Sequence, residues 1–303
     1  MMQNRKLVQV ASDTKKPKIV AIILTFNSEN SITKVIDSCK DIIFRILVVD
    51  SFSSDQTVDI ATSLGCEVVN HEFDDYSKQR NWAQAYADLD STDWVLHLDS
   101  DEIISPELAQ SIQQVITENS QEIDGYLVRR LSYFLGHPIK YGHINPSWHL
   151  RLFKASEGFC EDRLYDQHFV VPGKTKKLKG FLLDLQLTTI ENWTASHNRW
   201  SSAEALEVFF KSEAEKNQAK TLPASLQGDL RMQKRWLKNN LYYRSPLLLR
   251  VFIFFIYSYF LRLGFLDGKT GVIYHVLQAF WFRFLTDSKI IEMQLTKKIK
   301  GNS

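Results

Sequence analysis

The sequence predicts an α/β fold: a mostly parallel sheet with helices on both faces, extended at the C-terminus by a helical appendage. Three observations carry that prediction. Apolar β-branched runs alternate with segments of helical spacing from Lys18 to Thr117, the early runs end on polar or acidic side chains, and the chain closes in basic, aromatic segments. A length of 303 residues suits one large domain with such an appendage. At 44% hydrophobic and 24% charged, the chain has material for a core, which excludes disorder over most of its length.

The elements follow in order. Residues 1–17 are polar and read as a flexible leader without the apolar centre of a signal peptide. Lys18–Thr25 (KIVAIILT) is the continuous apolar run of a strand buried on both faces. Glu29–Lys40 places Ile32, Val35 and Ile36 on one helical face, and Ile42–Asp50 is a second buried strand ending on a carboxylate. Ser54–Leu64 reads as a helix, Cys66–Asn70 as a strand and Ser77–Ala87 as a helix; Asp93–Asp99 is a further strand ending on an acid. Ser105 then caps a helix that Pro106 opens and that runs to about Thr117. Beyond Ile123, Gly125–Leu131 and Trp148–Phe153 read as strands around a loop at Gly136–Pro146, and Glu191–Lys220 as a helix with a turn near Pro223.

A net charge of +2 hides an asymmetry. From Arg231 to Ser303 there are 13 Lys/Arg against three acidic residues, a net +10, so the preceding residues carry −8. This part opens with a basic helix, Asp229 to about Asn240, followed by the apolar segments Leu247–Leu263 and Thr270–Thr286. Their charge-free runs, Val251–Leu261 and Thr270–Phe282, fall short of the roughly 20 residues a spanning helix needs. Basic segments with aromatic faces lie in membrane interfaces and are drawn to anionic headgroups, so an anionic membrane surface is the expected partner. A hairpin packed on the body or against a second copy is the alternative. The apolar density and the absence of a recognised motif argue against nucleic acid. Cys39, Cys66 and Cys160 are too scattered for a zinc site or disulfide framework, and a reducing compartment suits them. The expected location is therefore peripheral, on the cytoplasmic side of the cell membrane.

Chemistry concentrates at strand ends, where parallel sheets bind their ligands. Asp99-Ser100-Asp101 presents two carboxylates one residue apart just past a buried strand, a donor set for a hard divalent cation. Asp50 ends the second strand and can accept hydrogen bonds from a base or ribose; Thr25-Phe26-Asn27 ends the first. No Gly-x-Gly-x-x-Gly follows the first strand, which excludes a nicotinamide dehydrogenase.

Together these motifs resemble the family-2 glycosyltransferases of the GT-A fold. Thr25-Phe26-Asn27 stands for Thr-x-Asn, Val49-Asp50-Ser51-Phe52-Ser53-Ser54-Asp55-Gln56-Thr57 for the loop after the second strand, Gln79-Arg80-Asn81 for the nucleotide-binding helix start and Asp99-Ser100-Asp101 for Asp-x-Asp. The resemblance implies that Thr25, Asn27, Asp50 and Arg80 line a nucleotide pocket. Asp99 would touch the ribose or the metal, and Asp101 would be the principal ligand of Mn²⁺ or Mg²⁺. Phe52 and Gln56 replace the usual glycines, so this loop is expected to use positive φ less freely.

The segments Gly125–Arg130, Trp148–Phe153 and Glu161-Asp162-Arg163 are similar to the subgroup that builds lipopolysaccharide core and other cell-envelope glycans. That similarity implies an inverting enzyme, a nucleotide-sugar donor (UDP-linked first) and a glycan or lipid-linked acceptor. It also implies Asp162 as general base, with Asp166 and His168 as rivals. Arg129, Arg130 and Arg151 would grip an anionic acceptor or pair with the body's acids. The processive motif Gln-x-x-Arg-Trp is absent, since Ser196 and Met232 precede Arg199-Trp200 and Arg235-Trp236, and this favours one sugar per transfer. The resulting division is a catalytic domain over 18–228, with a nucleotide-sugar half to about 122 and an acceptor half from about 123, then the tail at 229–303. The competing readings are a nucleotidyltransferase of the same fold, against which the glycine-free Leu24–Ser31 counts, and a non-catalytic membrane-bound scaffold.

Overall fold

The computed structural model describes residues 18–118, 122–145, 147–210 and 221–301. The expected leader, the second part of the Glu191–Lys220 helix and Pro146 at the end of the loop lie outside them.

The first half alternates strands and helices: β1 (Ile19–Thr25), α1 (Ile32–Cys39), β2 (Arg45–Asp50), α2 (Thr57–Ser63), β3 (Glu67–Asn70), α3 (Tyr76–Tyr86), β4 (Trp94–Asp99), β5 (Glu102–Ile104) and α4 (Pro106–Glu118). β1 pairs in parallel with both β2 and β4, and β2 with β3. The apolar runs bury both faces for a period-two reason. Ile19, Ile23, Val48, Leu96 and Leu98 point to one side, where Ile32, Val35 and Ile36 of α1 and Leu108 and Ile112 of α4 meet them. Ile22, Leu47, Val49 and Val95 point to the other, against Ala83 of α3 and Ala87 at its end.

The second half continues the sheet with β6 (Ile123–Phe134), β7 (His137–Pro138), β8 (Ser147–Lys154) and β11 (Lys174–Asp184), while β9 (Phe159–Cys160) and β10 (Phe169–Val170) form a separate small ribbon. The main path runs β3-β2-β1-β4-β8-β6-β11-β5. β4 and β5 are four places apart on that path, yet only Ser100 and Asp101 join them. The sheet must therefore curl until its β5 edge returns to the end of β4. This curl brings acids and arginines from five strands to one turn.

α5 (Ile190–Phe209) crosses to the tail, which consists of α6 (Leu230–Leu237), α7 (Leu249–Ile256), α8 (Gly268–His275) and α9 (Phe282–Gly301), with π-helical turns at Lys238–Tyr242, Tyr257–Leu261 and Val276–Trp281. The tail packs on the body through polar contacts. Arg283 pairs with Glu204 of α5 at 2.9 Å, and Lys289 Nζ donates to Asn198 O at 2.8 Å and Ser201 Oγ at 2.8 Å. Arg250 and Asp287 form a buried pair within the tail itself. Among the described residues no single helix is long and apolar enough to cross a membrane; Leu249–Leu261 and Gly264–Ile299 form a pair bent by 66°.

Candidate active site

The carboxyl ends of the parallel strands converge as their register requires: Thr25 lies opposite Asp50, Leu24 opposite Asp99, and Asp50 opposite Asn70. Asp50 is fully buried and already engaged. Thr25 Oγ1 donates to it at 2.8 Å, Ser53 N at 2.7 Å and Ser53 Oγ at 2.6 Å. Asn27 is exposed; its N–H donates to Ser53 Oγ at 2.8 Å and its Oδ1 accepts from Ser54 N at 2.8 Å. Thr25, Asn27 and Asp50 thus hold the two loops at the strand ends together. Phe52, where glycine was the expected need, takes φ +60 all the same, with its ring 62% exposed. The loop thus takes positive φ at one non-glycine residue, under strain, in keeping with the expectation that it does so less freely. Hydrogen bonds from Ser53 to Asp50 fix the turn and hold a side chain in the left-handed region, at a cost of about 1–2 kcal/mol.

The densest electrostatics surround Asp99. Its Oδ1 takes Arg80 of α3 at 2.9 Å and its Oδ2 takes Arg151 of β8 at 2.7 Å. Burial opposes its ionisation, but Arg151, Arg80 and Arg130 prevail and hold it well below the usual carboxylate range. Arg151 also reaches the buried Glu102 at 2.6 Å, and Glu102 accepts the Asp99 backbone N–H at 3.0 Å. From β6, Arg130 Nε donates to Asp184 Oδ2 at 3.0 Å, an oxygen that Ser132 Oγ and Gln186 Nε2 share. Arg130 and Arg151 therefore pair with the body's own acids.

Asp101 differs from its neighbours. Its backbone oxygen accepts Leu185 N at 3.0 Å, but its carboxylate has no hydrogen-bond or ion-pair partner among the described residues. Burial, then the charges of Asp184, Asp99 and Glu102, push it well above the ordinary aspartate value, with only Arg130 opposing. Asp184 Oδ1 and Arg151 Nε are buried without partners among the described residues. Unpaired carboxylate oxygens on Asp101 and on Asp184, whose charge bears on it, suit a hard cation that takes its remaining ligands from phosphate. No three His, Cys, Asp or Glu side chains form a metal cluster among the described residues, so the protein alone offers only part of a coordination shell. Asp184, at the end of an unforeseen strand, is the residue that the sequence reading missed.

The remaining expected residues lie on the β9–β10 side. Asp162 is exposed, one residue beyond Glu161, whose carbonyl accepts Ser77 Oγ at the start of α3. Asn81 of the same helix donates to Cys160 O at 2.8 Å, so the helix that carries Arg80 also fixes the strand that leads to Asp162. Asp166 is exposed and pairs with Lys238 at 3.3 Å, and the charges of Lys238, His168 and Arg163 hold its carboxyl below the usual range. His168 contacts Glu161 through Nδ1 at 3.1 Å.

Residues 20–172 match the model of glycosyl transferase family 2, and the chain belongs to this family. Among its relatives is an uncharacterized glycosyltransferase of Rickettsia conorii, 30% identical over 93% of this chain and 92% of that protein. The glycosyltransferase SunS of Bacillus phage SPbeta is 31% identical over 38% of this chain and 27% of its own length. Glucosyl-3-phosphoglycerate synthase from Mycobacterium tuberculosis, solved with Mn²⁺ and uridine diphosphate, aligns over 38% of this chain and 44% of its own at 23% identity, with a TM-score of 0.32. By the family match and the full-length relatives, the chain is a glycosyltransferase of GT-A type.

Proposed function

We propose that this glycosyltransferase moves one sugar per encounter from a UDP-sugar to a cell-envelope glycan or glycolipid, with inversion and a divalent cation. The observation that carries this reading is Asp101, an acid in the turn after β4 whose carboxylate has no hydrogen-bond or ion-pair partner among the described residues and which feels the charge of Asp184, whose Oδ1 is buried without a partner among them. Mn²⁺ or Mg²⁺ held there would neutralise charge on the departing diphosphate. Asp101 and Asp184 are the residues that would hold it. Asp99, neutralised by Arg80 and Arg151, braces the turn and faces the ribose. Thr25, Asn27 and Asp50 set the shape of the loop against which the base rests.

Inversion needs a group to take the acceptor hydroxyl's proton as its oxygen bonds to the anomeric carbon opposite the departing phosphate. Asp162 suits this better than Asp166, because Asp166 is committed to Lys238 and a strongly acidic carboxyl is a weak base. Absence of the processive motif supports single transfer; Arg235 is instead committed to Glu161.

The test is a panel of UDP-sugars assayed for slow hydrolysis with and without Mn²⁺. One sugar should be hydrolysed, Asp101→Ala should remove the metal-dependent part, and Asp162→Asn should lose transfer while retaining donor binding. Full turnover by Asp101→Ala would sink the metal assignment. Pyrophosphate release from a nucleoside triphosphate and a sugar phosphate would replace the reading with nucleotidyl transfer.

A further inference from the structure

We infer that residues 249–276 form an inverted helical hairpin that embeds in the acyl region of a lipid bilayer, held by apolar contact and not by basic charge. This does not depend on the reaction proposed above.

The first argument is polarity. Proteins in water place apolar side chains inside and polar ones outside. This hairpin does the reverse. Phe252, Ile253, Phe260, Leu261, Phe265 and Leu266 are 50%, 56%, 53%, 72%, 43% and 51% exposed. Arg250, Ser258 and His275 are buried. The inward groups form a connected chain: His143 Nδ1 meets Ser258 Oγ at 2.7 Å, Ser258 Oγ meets His275 Nδ1 at 3.3 Å, and His275 Nε2 faces Asp267 at 3.9 Å. Asp267 in turn accepts the backbone N–H groups of Lys140 and Tyr141, each at 3.0 Å. Arg262, though exposed, donates to Asn145 O at 2.7 Å. Gly142 and Gly264 allow this packing, since a Cβ on either would overlap the His275 imidazole. Polar groups turned inward and apolar groups turned outward are what a hydrocarbon surrounding requires. Between Leu249 and Val276 the exposed side chains are apolar apart from Tyr257, Arg262 and Lys269, fewer than the polar rim that would meet a protein partner, including a second copy.

The second argument concerns charge. The composition of the tail suggests attraction to anionic headgroups, but five of its thirteen cations are paired with acids of the protein. Arg231 pairs with Asp229, Arg235 with Glu161, Lys238 and Arg283 with Glu204, and Arg250 with Asp287. In the hairpin itself Arg250 is paired and Arg262 donates to Asn145 O, so its drive is apolar; the bend of 66° between Leu249–Leu261 and Gly264–Ile299, neither long and apolar enough to span alone, suits shallow insertion with Lys269 reaching the headgroups. The hairpin is also tied to the site. Tyr274 packs on Phe134 at 5.4 Å, at the end of the strand that carries Arg130 and Ser132.

The experiment mixes the full chain with vesicles of pure phosphatidylcholine, and of phosphatidylcholine with phosphatidylglycerol, followed by flotation. We expect binding to both, changing less than about twofold between about 0.1 and 0.5 M salt. Leu261→Asp with Phe265→Asp should weaken it at least about tenfold, while circular dichroism shows an unchanged fold. In a Phe260→Trp variant, dibrominated phosphatidylcholine should quench the new indole. Binding confined to the anionic vesicles and lost in salt would overturn the inference in favour of surface electrostatics. A dimer in solution that the aspartates dissociate, without vesicle binding, would overturn it in favour of a second copy.

Discussion

Arg235 of the tail grips Glu161 of the catalytic body through both terminal guanidinium nitrogens, in a site where the Glu161 carboxylate is completely buried. The same carboxylate accepts the backbone N–H groups of His168 and Leu222, both at 2.8 Å. One ion pair thus fixes the ribbon that leads to Asp162, the segment entering the tail and α6. Removing one member of a buried pair leaves the other charge stranded, which costs about 3–5 kcal/mol. Arg235→Met should therefore lower the free energy of unfolding by that amount in urea titrations. Adding Glu161→Gln should restore part of the loss, because the stranded charge is gone; no restoration would mean that Arg235 acts by packing alone.

What was legible in the sequence followed from strong periodicity. β1, β2 and β4 are buried on both faces and read as unbroken apolar runs, and their terminal Thr25, Asp50 and Asp99 do share one sheet end. β11 was invisible, since Lys174, Lys176, Lys177 and Lys179 with Gly180 mask its alternation, yet it carries Asp184. Glu161 and Asp162 show a second limit. Adjacent acids in one motif have opposite environments, one buried on an arginine and the other exposed, and spacing alone does not separate them. In the tail, composition indicated the basic and apolar content but not that Arg231, Arg235, Lys238, Arg250 and Arg283 pair with acids of the protein.

Asp101 and Asp184 lead to a binding prediction that does not require turnover. Mn²⁺ titrated into the enzyme with UDP, followed by electron paramagnetic resonance, should show one site. Asp101→Asn should abolish it, and Asp184→Asn should weaken it by at least about tenfold, the scale expected even for supporting groups. Chelation should release the ion and lower UDP affinity, because cation and diphosphate complete each other's shells. Unchanged affinity in Asp184→Asn would remove Asp184 from the site.

Phe52 stands in the left-handed region with an exposed ring, so its side chain adds strain and little packing. Phe52→Gly should relieve about 1–2 kcal/mol of backbone strain while losing about 0.5–1 kcal/mol to chain entropy. The net is a stabilisation of about 0.5–1 kcal/mol. A β-branched replacement, Phe52→Val, should destabilise instead. If both variants unfold at the same urea concentration as the parent, the loop does not hold this backbone conformation in solution. A fall in UDP affinity in Phe52→Val alone would show that the turn shapes the nucleotide pocket.

Several imidazoles are kept neutral by burial, and this sets a pH dependence. Burial holds His97 and His149 well below the ordinary histidine value and brings His197 from 6.5 to about 4. The unfolded chain therefore takes up protons near pH 6.5 that the folded chain refuses until near pH 4, so acid favours unfolding across that window. Each such histidine contributes a slope of at most about 1.4 kcal/mol per pH unit. Glu161, which burial would raise but Arg235 and His168 bring down to about 2, acts lower, losing its contribution as pH falls from 4.5 toward 2. Raised acids such as Asp101 work in the opposite sense, so the informative measurement is a difference. Urea unfolding of the parent and of His197→Gln at about pH 7.5 and 5 should give a smaller acid loss in the variant, by about 1–2 kcal/mol. Equal losses would mean that His197 titrates alike in both states, and its stacking on Trp193 at 3.4 Å would then not exclude the proton.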